Sequence, residues 1–225
     1  VFRQSVAPSE SAPGGGVICI LGGTFDPVHF GHLRPALDVQ QTLGVEKVWL
    51  LPCGLPPHRA RPGLSAAQRL ELLELAIDAE DGLAIDGREL QRDGPSYMVD
   101  TLESLRVEAG EQPVCLALGV DALAQLDSWH RWRDILSLCH LVVMQRPGGQ
   151  WPKAGELADC LGRARVKTVE ALYAQPAGCV LTVPVTQMAV SSTQIRELLV
   201  AGRSARYLAP TAVLTRILKE NWYAD

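Results

Sequence analysis

No stretch of the chain approaches the ~18 uninterrupted apolar residues that a membrane-spanning helix needs, and no secretory segment stands near its N-terminus. A soluble, cytoplasmic protein without a membrane partner is expected. The chain also lacks the clustered lysines and arginines of a phosphate-tracking surface. Its 21 basic and 25 acidic residues leave a net charge of -4, whereas duplex binding normally needs a basic face. Nucleic acid is therefore not an expected partner, although one small anion at a local site stays compatible with this balance. Cysteine pairs at CxxC spacing are missing: Cys19, Cys53, Cys115, Cys139, Cys160 and Cys179 are scattered, which points to free thiols in a reducing compartment. Both common glycine motifs for phosphate, GxGxxG and GxxxxGK(S/T), are absent as well. Any nucleotide site is of another kind.

What remains is an ordinary globular composition, 47% apolar and 20% charged, over 225 residues, enough for one large α/β domain. The opening VFRQSVAPSESAPGGG mixes Ser, Pro and Gly and is expected to be a flexible leader over 1–16, with the domain covering 17–225. From Val17 onward, short β-type runs alternate with helical patterns. The runs are VICIL at Val17 to Leu21, KVWLL at Lys47 to Leu51, LAID at Leu83 to Asp86, VCLAL at Val114 to Leu118, LVVM at Leu141 to Met144 and VLTVPV at Val180 to Val185. Cys19 and Cys115 sit inside two of them and read as small core residues. Between the runs, Ser65 is placed to cap a helix whose Leu70, Leu73 and Ile77 share a face, and Val213, Leu214, Ile217 and Leu218 repeat that pattern behind Pro210. Apolar strands separated by helices predict an α/β fold with a doubly wound parallel sheet, covered on both faces. In such folds ligands bind beyond the carboxyl ends of the strands where the winding reverses, which directs attention to Gly22 to His32 and to Gly119 to Asp121.

The first of these stretches reads GGTFDPVHFGHL. Gly22 and Gly23 let a ligand meet the backbone, and the helix beyond them offers free N–H groups to an anion. His29 and His32 share a side if the turn between them is helical, with Gly31 leaving room. A zinc pair, a structural pair and two donors to phosphate all fit that spacing; with no Cys or acidic residue at ligand spacing, donation to phosphate is the reading retained and no protein metal site is expected. Asp26 either caps the next turn or serves the site. The second stretch, VSSTQIRELL at Val190 to Leu199, pairs Ser191 with Gln194 at capping-box spacing, so a helix begins there. That puts Arg196 near a helix N-terminus, where the macrodipole disfavours a cation unless a polyphosphate reverses the sign.

GGTFDPVHFGHL resembles the nucleotidylyltransferase signature Gly-x-Phe-Asp-Pro-x-His-x-Gly-His, and SSTQIR resembles its second signature, Ile-Ser-Ser-Thr-x-Ile-Arg, with Val190 for the first Ile. With PPHR at Pro56 to Arg59, GPSYMVDTL at Gly94 to Leu102, GVDAL at Gly119 to Leu123 and LDSWHRW at Leu126 to Trp132, the stretch from Val17 to Tyr223 is similar to bacterial nicotinate mononucleotide adenylyltransferases. Arg59 and Met98 stand where that family usually shows Lys and Thr. The resemblance implies a Rossmann-like nucleotidylyltransferase fold and transfer of AMP from ATP to nicotinate mononucleotide, with Mg²⁺ carried by the ATP phosphates. It implies catalytic roles for His32, His29 and Arg196. ATP would meet Gly22, Gly23, Thr24, Phe25, His29, His32, Gly119, Asp121, Ser192, Thr193 and Arg196. The mononucleotide would meet His58, Arg59, Tyr97, Met98, Trp129 and His130, with Trp129 stacked on the pyridine ring, while Trp132 keeps a packing role and His58 with Arg59 alternatively forms a solvated loop pair. Two rival functions stay open. Another small-molecule adenylyltransferase, such as one acting on phosphopantetheine, shares the first motif but does not call for GPSYMVDTL and LDSWHRW. A nucleotide-binding sensor would keep the site without turnover.

Overall fold

A strand buried on both faces must be apolar at nearly every position, and the runs singled out above become such strands. The computed structural model describes residues 16–56, 62–146 and 148–223, so the expected leader lies outside the described residues except for Gly16. The strands are β1 (Ile18–Gly23), β2 (Val48–Pro52), β3 (Leu83–Ile85), β4 (Val114–Gly119), β5 (His140–Gln145), β6 (Arg165–Val166) and β7 (Val180–Pro184). All pair in parallel in one sheet of order β3-β2-β1-β4-β5-β7-β6. Strand β6 escapes the sequence reading because it is two residues long, lies at the sheet edge and carries no periodicity.

Among the described residues the helices are α1 (Phe30–Leu43), α2 (Ala66–Ile77), α3 (Met98–Ala109), α4 (Val120–Leu123), α5 (Trp132–Leu138), α6 (Glu156–Ala164), α7 (Glu170–Tyr173), α8 (Ser192–Val200) and α9 (Thr211–Lys219). Alternation along the strands splits the core in two. Cys19, Leu21, Cys115, Ala117 and Val142 face one side, where Leu33, Ala36 and Val39 of α1, Leu72 and Leu73 of α2, Ile195 of α8 and Val213 and Ile217 of α9 cover them. Ile18, Ile20, Leu116, Leu118, Leu141 and Val143 face the other, against Leu102 and Leu105 of α3, Trp132 and Ile135 of α5, and Leu157 and Leu161 of α6. Each fully buried Leu or Ile of these layers contributes roughly 1.5–3 kcal/mol relative to exposure. Trp132 is thus a packing residue, as read from the sequence.

Local signals set the helix ends. Ser65 caps α2 by accepting from the Gln68 N–H at 3.3 Å, and Gln68 returns the bond to Ser65. Helix α1 stops at Gly44, whose φ of 67° is left-handed and whose N–H reaches Gln40 O. Two details of the expected faces differ. In α2 the deepest positions are Leu72, Leu73 and Arg69, while Leu70 and Ile77 are half-buried. In α9 Leu218 points outward at 68% exposure, because its neighbours Val213, Leu214 and Ile217 already fill the contact stripe. A histidine also occupies the core: His140 is fully buried in β5, with Nδ1 accepting from the Cys179 N–H at 3.0 Å and Nε2 donating to Gln175 O at 2.9 Å. That neutral tautomer satisfies both ring nitrogens, and burial lowers the pKa of the ring.

No helix among the described residues is long and apolar enough to cross a membrane. The winding reverses between β1 and β4, which are neighbours although the chain builds outward from β1 through β2 to β3 and from β4 through β5 to β7. The carboxyl ends of β1 and β4 carry Gly22, Gly23 and Gly119, where the sequence placed the site.

Candidate active site

The turn leaving β1 is built from inside outward. Phe25 takes a left-handed φ of 51° and buries its ring to 1% exposure. A Cβ on Gly23 would come within 2.8 Å of that ring, so glycine is required where the backbone folds over Phe25. The Phe25 ring meets His32 edge-on at 5.0 Å, and the His29 and His32 rings stack with centroids 3.8 Å apart. The His29 N–H donates to His32 Nδ1 at 3.3 Å, which makes Nδ1 an acceptor and leaves the hydrogen of the neutral ring on Nε2. Helical spacing therefore does bring the two histidines to one side.

His29 is 4% exposed, and its Nδ1 has no hydrogen-bond partner among the described residues. Gly31 packs closely here, since a Cβ on it would lie 3.0 Å from this buried nitrogen and 2.9 Å from Val190 Cγ1. Burial lowers the His29 pKa from 6.5 to about 4. The unfolded ring takes up a proton near pH 6.5 and the folded ring only near pH 4. Stability present above pH 6.5 is therefore lost as pH falls through that window, by about 2 kcal/mol between pH 8 and pH 5. Urea midpoints of the wild type and His29→Asn over this range check the assignment: the variant should show a shallower acid loss, and identical slopes would remove His29 as its source.

Helix α8 approaches from across the crevice. Ser191 accepts from the Gln194 N–H at 3.1 Å, so the expected cap forms. Ser192 Oγ donates to Pro27 O at 3.0 Å, and Arg196 donates to Asp26 O at 2.7 Å and to Thr193 Oγ1 at 3.3 Å. Asp26 is not a local turn cap. Its buried carboxylate accepts from the Gly63 N–H at 2.8 Å, the Leu64 N–H at 3.2 Å and the Tyr223 hydroxyl at 2.6 Å, with the Arg196 guanidinium 3.8 Å away. Behind the turn the buried Arg69 donates to Thr24 O at 2.8 Å and Gly54 O at 3.2 Å, fixing the backbone of Thr24.

Two cavities open onto this assembly. A polar one of about 780 Å³ is walled by Thr24, His29, His32, Arg146, Ser192, Thr193 and Arg196, among others. A more apolar one of about 420 Å³ is walled by Gly22, Gly23, Thr24, His32, Tyr97, Met98, Gly119, Trp129 and His130, together with Met144 and the buried Glu89. Thr24 and His32 belong to both walls. The Tyr97 and His130 rings meet at a tilt of 36°, centroids 4.4 Å apart, in the wall of the apolar cavity, and Met98 is the first residue of α3, whose N-terminus carries no side-chain cap.

Most residues named from the sequence thus converge. Phe25 lines neither cavity and supports His32 from beneath, so its side chain is closed to ligand. Asp121 also lines neither, and its carboxylate pairs with Arg146. His58 and Arg59 lie outside the described residues. Arg146, Arg69 and Glu89 complete the site without a strong local signal, beside the Asp26 of the first motif. Arg146 follows a strand as many loop arginines do, and Arg69 interrupts an otherwise apolar face. Among the described residues no three His, Cys, Asp or Glu side chains converge on a metal position.

Comparison with known proteins bears on the family and the fold. The cytidylyltransferase-like family model matches residues 20–198. A protein of Methylococcus capsulatus bearing the name "Probable nicotinate-nucleotide adenylyltransferase" is 50% identical over 209 residues, covering 92% of this chain and all of its own length. One of the same name from Halorhodospira halophila is 46% identical over 208 residues, covering 92% and 94%. The solved Plasmodium falciparum nicotinic acid mononucleotide adenylyltransferase complexed with NaAD superposes with a TM-score of 0.71 at 15% identity, over 92% of this chain and 97% of that one, and so shares its fold. Half-identical relatives matched end to end leave one conclusion: the chain belongs to the cytidylyltransferase-like family and, within it, to the nicotinate-nucleotide adenylyltransferases.

Proposed function

We propose that the protein transfers the adenylyl group of ATP to nicotinate mononucleotide, giving nicotinate adenine dinucleotide and pyrophosphate in NAD biosynthesis. The observation that carries this reading is the meeting of a polar, cationic cavity and a ring-lined cavity at Thr24 and His32. A reaction joining a triphosphate to an aromatic mononucleotide needs its reacting phosphorus at such a junction. The mononucleotide phosphate oxygen attacks the α-phosphorus in line, the new P–O bond forms as the bond to the β-phosphate oxygen breaks, and pyrophosphate leaves. No enzyme nucleophile is required, so the chain contributes position and charge stabilisation.

Each group has a role in that scheme. The His32 Nε2–H and the unpartnered His29 ring serve phosphate oxygens, and Ser192, Thr193 and Arg196 hold the β- and γ-phosphates at the α8 N-terminus. Gly22 and Gly23 let the nucleotide approach the backbone, and Gly119 together with the Asp121 carboxylate receives adenosine. Trp129, with Tyr97, Met98 and His130, takes the pyridine ring. Mg²⁺ enters as part of the MgATP substrate; the described residues offer no cage of their own for it, and no step is assigned to it. The cysteines form no disulfide among the described residues, which supports a reducing cytoplasmic location.

Pyrophosphate release with ATP and nicotinate mononucleotide tests the reaction directly, and its absence in the purified protein would sink it. Arg196→Ala should raise the Kd for ATP by about tenfold and slow transfer as well, because its phosphate partner is charged in the ground state too. Titration of ATP into both proteins checks this, and an unchanged Kd counts against the assignment.

A further inference from the structure

The polar cavity contains a cation that the two signature motifs do not supply. Arg146 follows β5 directly, and its guanidinium shares a wall with Thr24, His29, His32, Thr193 and Arg196. Its ion-pair partner is Asp121, at the start of α4 beyond the carboxyl end of β4. The pair spans the ends of neighbouring strands, and both side chains stay open to solvent, at 54% and 61% exposure.

Among the described residues, apart from the histidines, the ionisable walls of this cavity are Asp26, Arg196 and Arg146. The buried Asp26 carboxylate lies 3.8 Å from the Arg196 guanidinium, so those two largely cancel. Arg196 NH1 donates to Asp26 O and NH2 to Thr193 Oγ1, bonds that orient its guanidinium in the wall. Arg146 is thus a cation of this wall whose own partner, Asp121, lies outside it. The cavity independently shows that it is built for a ligand, because the nine-tenths buried His29 leaves Nδ1 without a partner in the same wall.

We propose that Arg146 is a further polyphosphate-binding residue, held by Asp121 until the triphosphate takes it. An exposed carboxylate pair is weak, whereas a polyphosphate brings several charges and a geometry that a guanidinium fork matches with two bonds. Exchange of partner frees the Asp121 carboxylate for the ribose hydroxyls at the moment the phosphates dock. Binding of the two ends of ATP is thereby linked through one side-chain pair.

This rests on reading the polar cavity as the triphosphate site, so the probe is inorganic tripolyphosphate, which lacks ribose and base. Calorimetric titration of the full chain at low ionic strength should show binding about tenfold weaker for Arg146→Gln than for wild type, with Arg146→Lys between them. Asp121→Asn should bind a few-fold tighter, and the double variant should lose that gain and match Arg146→Gln. Wild-type affinity in Arg146→Gln overturns the binding role. A gain that persists in the double variant, or no gain in Asp121→Asn, overturns the holding role. Equal Kd for nicotinate mononucleotide in Arg146→Gln and wild type shows that the fold is intact, and if Arg146→Gln does not fold, the loss in Arg146→Lys decides. Failure of the proposed reaction is read separately: wild type without pyrophosphate release but with Arg146-dependent tripolyphosphate binding sinks the reaction and keeps this site, and the reverse sinks this site alone.

Discussion

His32→Ala is expected to lower kcat by about 10²-fold or more while changing KM for ATP far less, because a donor aimed at charge that develops during transfer acts on the transition state. The structure gives a reason for this residue over its neighbour. Among the described residues His32 is the one histidine in the walls of both cavities. Its ring is held on three sides, by the stacked His29, by the edge of Phe25 and by the His29 N–H on Nδ1. That last bond leaves Nε2 protonated in the neutral ring, and a fixed donor needs no reorganisation as the reaction proceeds. Single-turnover rates with saturating ATP separate chemistry from binding. Near-normal kcat in His32→Ala would take His32 out of the transfer step.

The second large effect is in substrate choice, where wild type should prefer nicotinate over nicotinamide mononucleotide by roughly 10³-fold in kcat/KM. A ring stacked on Trp129 gains the same contact with either substituent, so stacking does not discriminate. The carboxylate must be told from the amide by donors, and no Arg or Lys among the described residues lines the apolar cavity. Met98, in place of the usual Thr, supplies no hydroxyl. It opens α3, a 12-residue helix whose first N–H groups lack a side-chain cap, and a helix N-terminus favours an anion. Those N–H groups, with backbone near His130, satisfy a carboxylate but face an amide NH₂ donor to donor, which leaves buried groups unpaired. Trp129→Ala should therefore weaken both mononucleotides and largely keep their ratio, and Met98→Thr should change the ratio little. The account fails if wild type uses the two equally, or if Trp129→Ala abolishes the preference while nicotinate mononucleotide still binds.

These assignments differ in how far the amino-acid sequence carries them. Apolar runs such as VICIL and VCLAL announce their strands because burial on both faces demands near-continuous hydrophobicity, and Ser65, Ser191 and Gly44 act through their own few neighbours. Asp26 shows the limit of such local reading. By sequence it either caps the next turn or serves the site, and its bonds reach Gly63, Leu64 and Tyr223, which only folding brings near. Arg69 looks like a misplaced charge on an apolar face until the carbonyls of Thr24 and Gly54 close over it. Leu218 matches its helical stripe and still faces solvent, since the width of a stripe is set by what packs against it.

By itself the sequence determined the parallel α/β class, the two glycine-bearing strand ends at which the winding turns, and the motifs that carry the histidines and Arg196, because each depends on spacing along the chain. Tertiary structure alone decided that His32 stands where two cavities meet, that His29 leaves a buried nitrogen without a partner, and that Arg146 enters the wall of the polar cavity paired with Asp121. Those properties arise between strands β1, β4 and β5 and helix α8, whose proximity is fixed by sheet order and packing and by nothing adjacent in the chain.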